Sequence, residues 1–352
     1  MKKISVLGGA GFVGTRFCRL LRDSQIPFEI IDLNTSQEFP EESIIADVRD
    51  IESLRAAIGG DVVVNLAAVH RDDVRDKSEY FNTNVTGAKN VVAVCSEKGI
   101  SKIVFTSSVA VYGFAEPGVG EDGVINPFNE YGKTKYEAEQ VLEKWRSESD
   151  ARSLIIVRPT VIFGEGNRGN VFNLLNQIAG GLFVMIGGGR NKKSMAYVGN
   201  VAAFLKDCAK TDVQHGVYNY VDGPDFSMNE LVSKVRKELK GKDGTGLRLP
   251  FWLGLFLGKL ADLVATVIGR NLPISAIRIQ KFCSDSAFSS RKSELDGFQP
   301  PYTLEQGLHS TLDSEFINPD PKRQIFFTEQ LNSSCLHWAD SCVLAGSWCA
   351  VH

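Results

Sequence analysis

A chain of 352 residues is long enough for one large domain or two joined ones. Its formal charge of -3 lacks the basic surplus of a nucleic-acid binder, so no nucleic-acid partner is expected. Seven scattered cysteines without a C-x-x-C pair fit free thiols in a reducing cytosol better than a disulfide framework or a zinc site.

Lys3 to Leu7 reads as a short buried strand. Its apolar core is too short for a signal peptide and runs straight into a glycine turn, so the expected location is the cytoplasm. The turn is Gly8-Gly9-Ala10-Gly11-Phe12-Val13-Gly14, and Phe12 to Asp23 then shows helical spacing. Strand, glycine turn and helix together are the context of a dinucleotide-binding fingerprint. Gly8 makes the tight turn. Gly11 admits a pyrophosphate at the positive end of the helix, and Gly14 lets the helix pack close to the strand. Phe28 to Asp32 is a second strand ending in an acid. Such an acid can accept hydrogen bonds from ribose hydroxyls and repels a 2′-phosphate, so Asp32 favours NAD over NADP. A strand-end turn residue is the plainer alternative. Asp47-Val48 follows a third short strand, where an adenine edge would lie. Asp61 to Ala67 is a fourth strand, Ser78 to Lys98 a long amphipathic helix, and Lys102 to Thr106 a fifth strand. The alternation implies an α/β fold, a doubly wound parallel sheet with helices on both faces.

Thr106-Ser107-Ser108 ends the fifth strand, and Val111-Tyr112-Gly113 follows. In such sheets, ligands bind outside the carboxyl ends of the strands. Downstream, Tyr131 and Lys135 stand four residues apart, on one face of a helix. A phenol with a pKa of about 10 is a poor base at neutral pH. A neighbouring ammonium favours the phenolate, and the pair can then take a proton from a hydroxyl. Alone, the pair also fits a solvated helix face.

With Asn84 in the preceding helix, these residues resemble the extended short-chain dehydrogenase/reductase family, which includes nucleotide-sugar epimerases and dehydratases. The resemblance spans roughly residues 1–316. Four segments narrow it: Ala67-Ala68-Val69-His70-Arg71-Asp72-Asp73-Val74, Arg158 to Glu165, Asn167 to Val171, and Ser194 to Asn200. They resemble a bacterial branch of that family, the 4-epimerases of N-acetylglucosamine linked through a diphosphate to undecaprenol, which serve surface polysaccharide (O-antigen) synthesis. The resemblance implies a Rossmann fold, an NAD cofactor, a homodimer, and catalysis by Ser108, Tyr131 and Lys135. Ser108 is preferred over Ser107 because the family's serine stands four residues before the Tyr of Val111-Tyr112-Gly113. The implied cofactor contacts are Gly8, Gly11, Phe12, Val13, Gly14, Asp32, Asp47, Val48, Leu66, Ala67, Ala68, Asn84, Tyr131, Lys135 and Pro159. The implied substrate contacts are His70, Arg71, Ser108, Arg168, Asn170 and Lys193, and no metal is implied. The partner is a lipid-diphosphate-linked or nucleotide-linked sugar, so UDP-hexosamine or UDP-hexose 4-epimerisation is the alternative activity. Related dehydratases carry Asp-Glu where Val109-Ala110 stand here, which argues against elimination of water. A net reductase using free NAD(H) and a non-catalytic dinucleotide sensor are further rivals; a sensor can dispense with the Tyr and Lys that this chain keeps. The family's frequent Arg-x-x-x-Tyr-Val-x-Asp departs here to Lys193 and Asn200, and Lys is a point charge where Arg is a planar fork.

After Arg158 the alternation weakens. Residues 1–165 read as the NAD-binding domain, 166–316 as mainly the substrate domain with some segments returning to the sheet, and 317–352 as a tail of unknown function. Gly169 to Gly180 reads as a helix, and Ser227 with Glu230 as a capping box opening another. Arg168, Arg190, Lys192 and Lys193 are candidates for a substrate diphosphate, or simply a solvated basic loop. Leu249 to Ile268 is the most apolar long stretch, interrupted by Lys259 and Asp262, which argues against a membrane span. Two readings stand: a buried helix of the substrate domain, or an interfacial helix giving peripheral membrane contact, with Arg248, Lys259 and Arg270 near it. In the tail, Cys335, Cys342 and Cys349 with His337 match no zinc spacing.

Overall fold

The computed structural model describes residues 2–70, 74, 76–268 and 275–327. Arg71, Arg270, Cys335, His337, Cys342 and Cys349 lie outside the described residues.

The first half alternates strand and helix: β1 (Ile4–Leu7), α1 (Phe12–Asp23), β2 (Phe28–Asp32), β3 (Ser43–Ile45), α2 (Ile51–Ala57), β4 (Val62–Asn65), α3 (Ser78–Tyr80), a π-helical stretch (Phe81–Thr86), α4 (Gly87–Glu97), β5 (Lys102–Thr106), α5 (Glu130–Ser147) and β6 (Ser153–Pro159). The second half is more broken: β7 (Val161–Phe163), β8 (Asn167–Arg168), α6 (Asn170–Gly180), β9 (Met185–Ile186), β10 (Met195–Tyr197), α7 (Val198–Lys210), β11 (His215–Tyr220), α8 (Met228–Lys240), β12 (Arg248–Leu249), α9 (Phe251–Ile268), α10 (Ala276–Cys283), α11 (Leu304–Leu312) and β13 (Phe326–Phe327).

Seven strands form one parallel sheet in the order β11-β6-β5-β4-β1-β2-β3. Every residue of β1, β4 and β6 is buried, as expected for strands covered on both faces. One core layer sets Phe17, Cys18 and Leu21 of α1 and Val201, Phe204 and Leu205 of α7 against the sheet. The opposite layer uses Leu54 of α2, Val91 and Val94 of α4, and Ala138, Leu142 and Trp145 of α5. A third cluster joins α6, α8 and α11 around Leu174, Leu231 and Leu308. The predicted helix from Ser78 to Lys98 is interrupted by the π-helical stretch, which contains Asn84.

The strand order reverses between β1 and β4, the switch point where doubly wound sheets bind ligands. Leu7 pairs with Ile31 on one side and Asn65 on the other, so Gly8, Asp32 and Leu66 leave the sheet at one level. Asn65 pairs with Phe105, and Thr106 with Val157, which brings Ser107 and Pro159 to the same edge.

Candidate functional site

A cavity of about 790 Å³ opens at this edge. Its wall includes Gly8, Gly11, Phe12, Val13 and Gly14 of the glycine turn, then Asp32, Asp47 and Val48 beyond β2 and β3. Leu66, Ala67, Ala68, His70 and Pro159 line it further along, with Ser108, Tyr131, Lys135 and Asn170.

The turn needs its glycines for space. A Cβ on Gly14 would come within 2.4 Å of the Gly8 carbonyl oxygen, and Gly8 itself has φ +76°. Gly11 caps α1 without a side-chain hydrogen bond, so the first N–H groups of the helix face the cavity. The Asp32 carboxylate accepts the N–H of Ala10 at 3.1 Å and of Asn34 at 3.2 Å, which aims it beside the turn. Burial raises its pKa from the ordinary carboxylate value, against those bonds. Asp47 is held by Arg49, whose Nη2 lies 2.6 Å from Oδ2, and the guanidinium lowers its pKa.

At the other end, Asn129 caps α5 by accepting the Gly132 N–H at 2.8 Å. A Cβ on Gly132 would meet the Ala110 carbonyl oxygen at 2.4 Å, so the start of α5 packs directly on the segment that follows Ser108. Tyr131 and Ser108 thereby share one wall. The Ser108 Oγ accepts the Ala110 N–H at 3.1 Å, leaving its own proton to donate. Lys135, one turn below Tyr131, is 2% exposed. Its Nζ donates to the Thr106 carbonyl oxygen at 2.6 Å and lies 4.6 Å from the Phe105 ring centre. Burial pushes its ammonium down to about 7, while the Glu139 carboxylate acts the other way.

That shift has a testable sign. The unfolded chain binds more protons at Lys135 between about 7 and about 10, so the burial penalty is full below that window and fades across it. In melts of the cofactor-free protein, the difference between Lys135→Met and wild type should move in the variant's favour as pH falls from about 10 to about 7. A pH-independent difference would show that charge burial is not what separates them.

Three expected contacts lie elsewhere. Asn84 is not on the cavity wall: its Oδ1 accepts the Val69 N–H at 3.0 Å, and its Nδ2 donates to the Val69 carbonyl and to Thr134 Oγ1. It ties the loop after β4 to α5. Arg168 is drawn to Glu315, 2.8 Å away, and stacks 4.0 Å from the Phe172 ring centre. Lys193 is buried and donates to the Lys281 carbonyl oxygen at 2.9 Å. Arg71 is outside the described residues. The reading of Asn200 gains a physical reason: its side chain both donates to and accepts from the Tyr302 backbone, a pairing that an aspartate could not make.

Other wall residues were given no contact from the sequence. Thr106 Oγ1 and Ser107 Oγ are buried without a hydrogen-bond partner, and a polar ligand would satisfy them. Ile325, Phe326 and Phe327 also line the cavity. They belong to the segment read as a tail, yet β13 pairs with β8 and Phe326 lies 5.7 Å from Phe12 of the glycine turn.

The model of the NAD dependent epimerase/dehydratase family matches residues 4–219. The chain belongs to this family. Among its relatives is the N-acetyl-alpha-D-glucosaminyl-diphospho-ditrans,octacis-undecaprenol 4-epimerase of Escherichia coli O157:H7, 46% identical over 331 residues, covering 93% of this chain and 99% of the relative. The UDP-glucose 4-epimerase of Vibrio cholerae is 27% identical, covering 88% of this chain and 94% of that protein. Among solved structures, the UDP-Glc/GlcNAc 4-epimerase of Campylobacter jejuni has the same fold, with a TM-score of 0.68 at 18% identity over 88% of this chain and 98% of that one. The family's NAD fits the cavity: an open helix N-terminus and a glycine turn for the pyrophosphate, and an acid at the end of β2 for the ribose.

Asp32 should then make NAD(H) bind at least about tenfold more tightly than NADP(H), because an added phosphate would face a like charge. Equal affinities by titration would show that Asp32 does not meet the ribose.

Proposed function

We propose that the protein is an NAD-dependent 4-epimerase interconverting N-acetylglucosamine and N-acetylgalactosamine carried through a diphosphate on undecaprenol. The observation that carries the reaction type is the shared wall of Ser108, Tyr131 and Lys135 in the cavity that also holds the glycine turn and Asp32. The carrier is supported by the 46% relative. Residues 1–165 serve as the cofactor unit and 166–316 mainly as the substrate unit, with β11 completing the sheet. Contact with the inner face of the cell membrane belongs to the same reading, since a lipid-anchored sugar has to be met at a bilayer; the homodimer rests on the family resemblance alone.

NAD, when bound, supplies reversible hydride exchange at C4 of the sugar. The protein supplies the proton chemistry and the orientation. Tyr131 takes the proton of the 4-hydroxyl and returns it to the same oxygen after the 4-keto sugar has turned its opposite face to the cofactor, which inverts C4. Ser108 donates its hydroxyl proton to the same oxygen as charge develops there. The Lys135 ammonium, one turn away, favours the Tyr131 phenolate. Gly8, Gly11, Gly14 and Asp32 hold the cofactor, with Phe12 and Val13 at the helix start. His70 and Asn170 flank the sugar. Arg168 and Lys193 keep their protein partners and are not assigned to the diphosphate.

Parallel incubations test the carrier. With N-acetylglucosaminyl-diphospho-undecaprenol, N-acetylgalactosamine should appear on the lipid, while UDP-N-acetylglucosamine should be turned over poorly. Ready turnover of the UDP sugar and none of the lipid-linked one would make this an ordinary nucleotide-sugar epimerase.

A further inference from the structure

α9 is built inside out. Its small residues face the protein: a Cβ on Gly254 would meet Ile186 Cγ2 at 2.6 Å, and one on Gly258 would meet Ile279 at 2.8 Å and Ala276 at 2.9 Å. Its one acid, Asp262, is turned inward and accepts the Ala276 N–H at the start of α10, 3.0 Å away. Its large residues point outward. Trp252 is 69% exposed, Phe256 60%, Leu260 49% and Leu263 62%. Their spacing of four, four and three puts them on one helix face. A helix that closes a core has the reverse arrangement. A continuous apolar face of this kind marks a docking surface.

We propose that this face seats the protein on an anionic lipid bilayer; the proposal rests on the reading that the substrate sugar is lipid-linked. Charge argues for lipid over a second copy of the chain. The outward charged side chain of α9 is Lys259, and α10 contributes Arg278 and Lys281 with no acid of its own. A symmetric pair would bring these cations toward their own copies, whereas anionic headgroups meet them with opposite charge. Continuity with the site argues the same way. The Lys281 Nζ lies 4.6 Å from the Phe128 ring centre and 5.6 Å from that of Phe114. These rings pack at 4.6 Å, tilted 33° to each other, and Phe114 is 67% exposed. Phe128 stands three residues before Tyr131. Lys281 and these two rings thus link α10 to the start of α5 on the wall of the site, and in this proposal the prenyl chain follows that link from the bilayer to the sugar. No helix among the described residues is long and apolar enough to cross a membrane. The attachment is therefore interfacial and reversible.

The test uses the full chain and sucrose-loaded vesicles, either of phosphatidylcholine alone or mixed with phosphatidylglycerol. Wild type should sediment with the mixed vesicles and less with phosphatidylcholine. The triple variant Trp252→Ser, Phe256→Ser, Leu260→Ser should bind at least about tenfold more weakly while melting at the wild-type temperature. Lys259→Glu should weaken binding only to the mixed vesicles. Wild type that stays in the supernatant overturns the proposal. So does a triple variant that melts early, which would make the face part of a core. A triple variant that falls from dimer to monomer in sedimentation velocity while wild type ignores vesicles would assign the face to a second copy, and equally overturns it. Turnover of the lipid-linked sugar dispersed in detergent is read separately. The triple variant should retain it there, and its absence in wild type would remove the substrate reading while sedimentation still decides the docking.

Discussion

Tyr131→Phe should keep the melting temperature and the bound NAD of wild type, yet lose at least about two decades of turnover, the usual scale of general acid–base catalysis. The phenyl ring fills the same space on the cavity wall and removes only the oxygen that moves the proton. Ser108→Ala should show a loss of comparable scale, since it deletes the second group aimed at the same sugar oxygen. The two losses should combine to less than their product, because both residues act on one oxygen in one step. Turnover within about threefold of wild type in the Tyr131 variant would remove the tyrosine from the mechanism.

The largest effect on stability is expected at Arg158. Its guanidinium meets Glu139 through two hydrogen bonds of 2.9 Å and 2.6 Å, and both side chains are buried. It also donates to the Tyr112 hydroxyl at 2.8 Å, and Tyr112 donates to Asn219 Oδ1 at 2.8 Å. One side chain therefore joins β6, α5, the segment after Ser108, and β11. Arg158→Met leaves the Glu139 carboxylate buried without its partner and should cost about 3–5 kcal/mol. Arg158→Met with Glu139→Leu should recover most of that, because the uncompensated charge is gone. Urea midpoints at unchanged slope measure both. A small loss in the single variant would show that water or another group takes over the carboxylate. The pair also bears on chemistry: Glu139 lies one turn from Lys135 and acts against the burial that lowers the lysine's pKa.

Short-range signals were the legible ones. The helix Phe12–Asp23 and the strands Phe28–Asp32 and Lys102–Thr106 fall where periodicity placed them, because a glycine turn, an acid or a polar pair marks their ends. The Ser227–Glu230 capping box is present as read. What the sequence could not show depended on partners remote in sequence. Arg168 and Lys193 look like diphosphate ligands until Glu315 and the Lys281 carbonyl are brought to them by the fold. Asn84 sits in a π-helical stretch that no local pattern announces. Phe326 reached the cavity by pairing with a two-residue strand at Asn167–Arg168, too short to carry a period of its own. The apolar run of α9 was visible, but its inverted orientation depends on Ile186 and Ile279 packing against Gly254 and Gly258.

The central claim is that C4 loses and regains the same hydrogen within one cavity. The most direct measurement uses lipid-linked N-acetylglucosamine carrying deuterium at C4, with product analysed by mass spectrometry and NADH absorbance followed throughout. The expected product is N-acetylgalactosamine that keeps its deuterium, with no label in solvent and no net change in absorbance. Deuterium lost to solvent, or a stoichiometric rise in NADH, would contradict epimerisation by Tyr131, Ser108 and Lys135 around a retained cofactor.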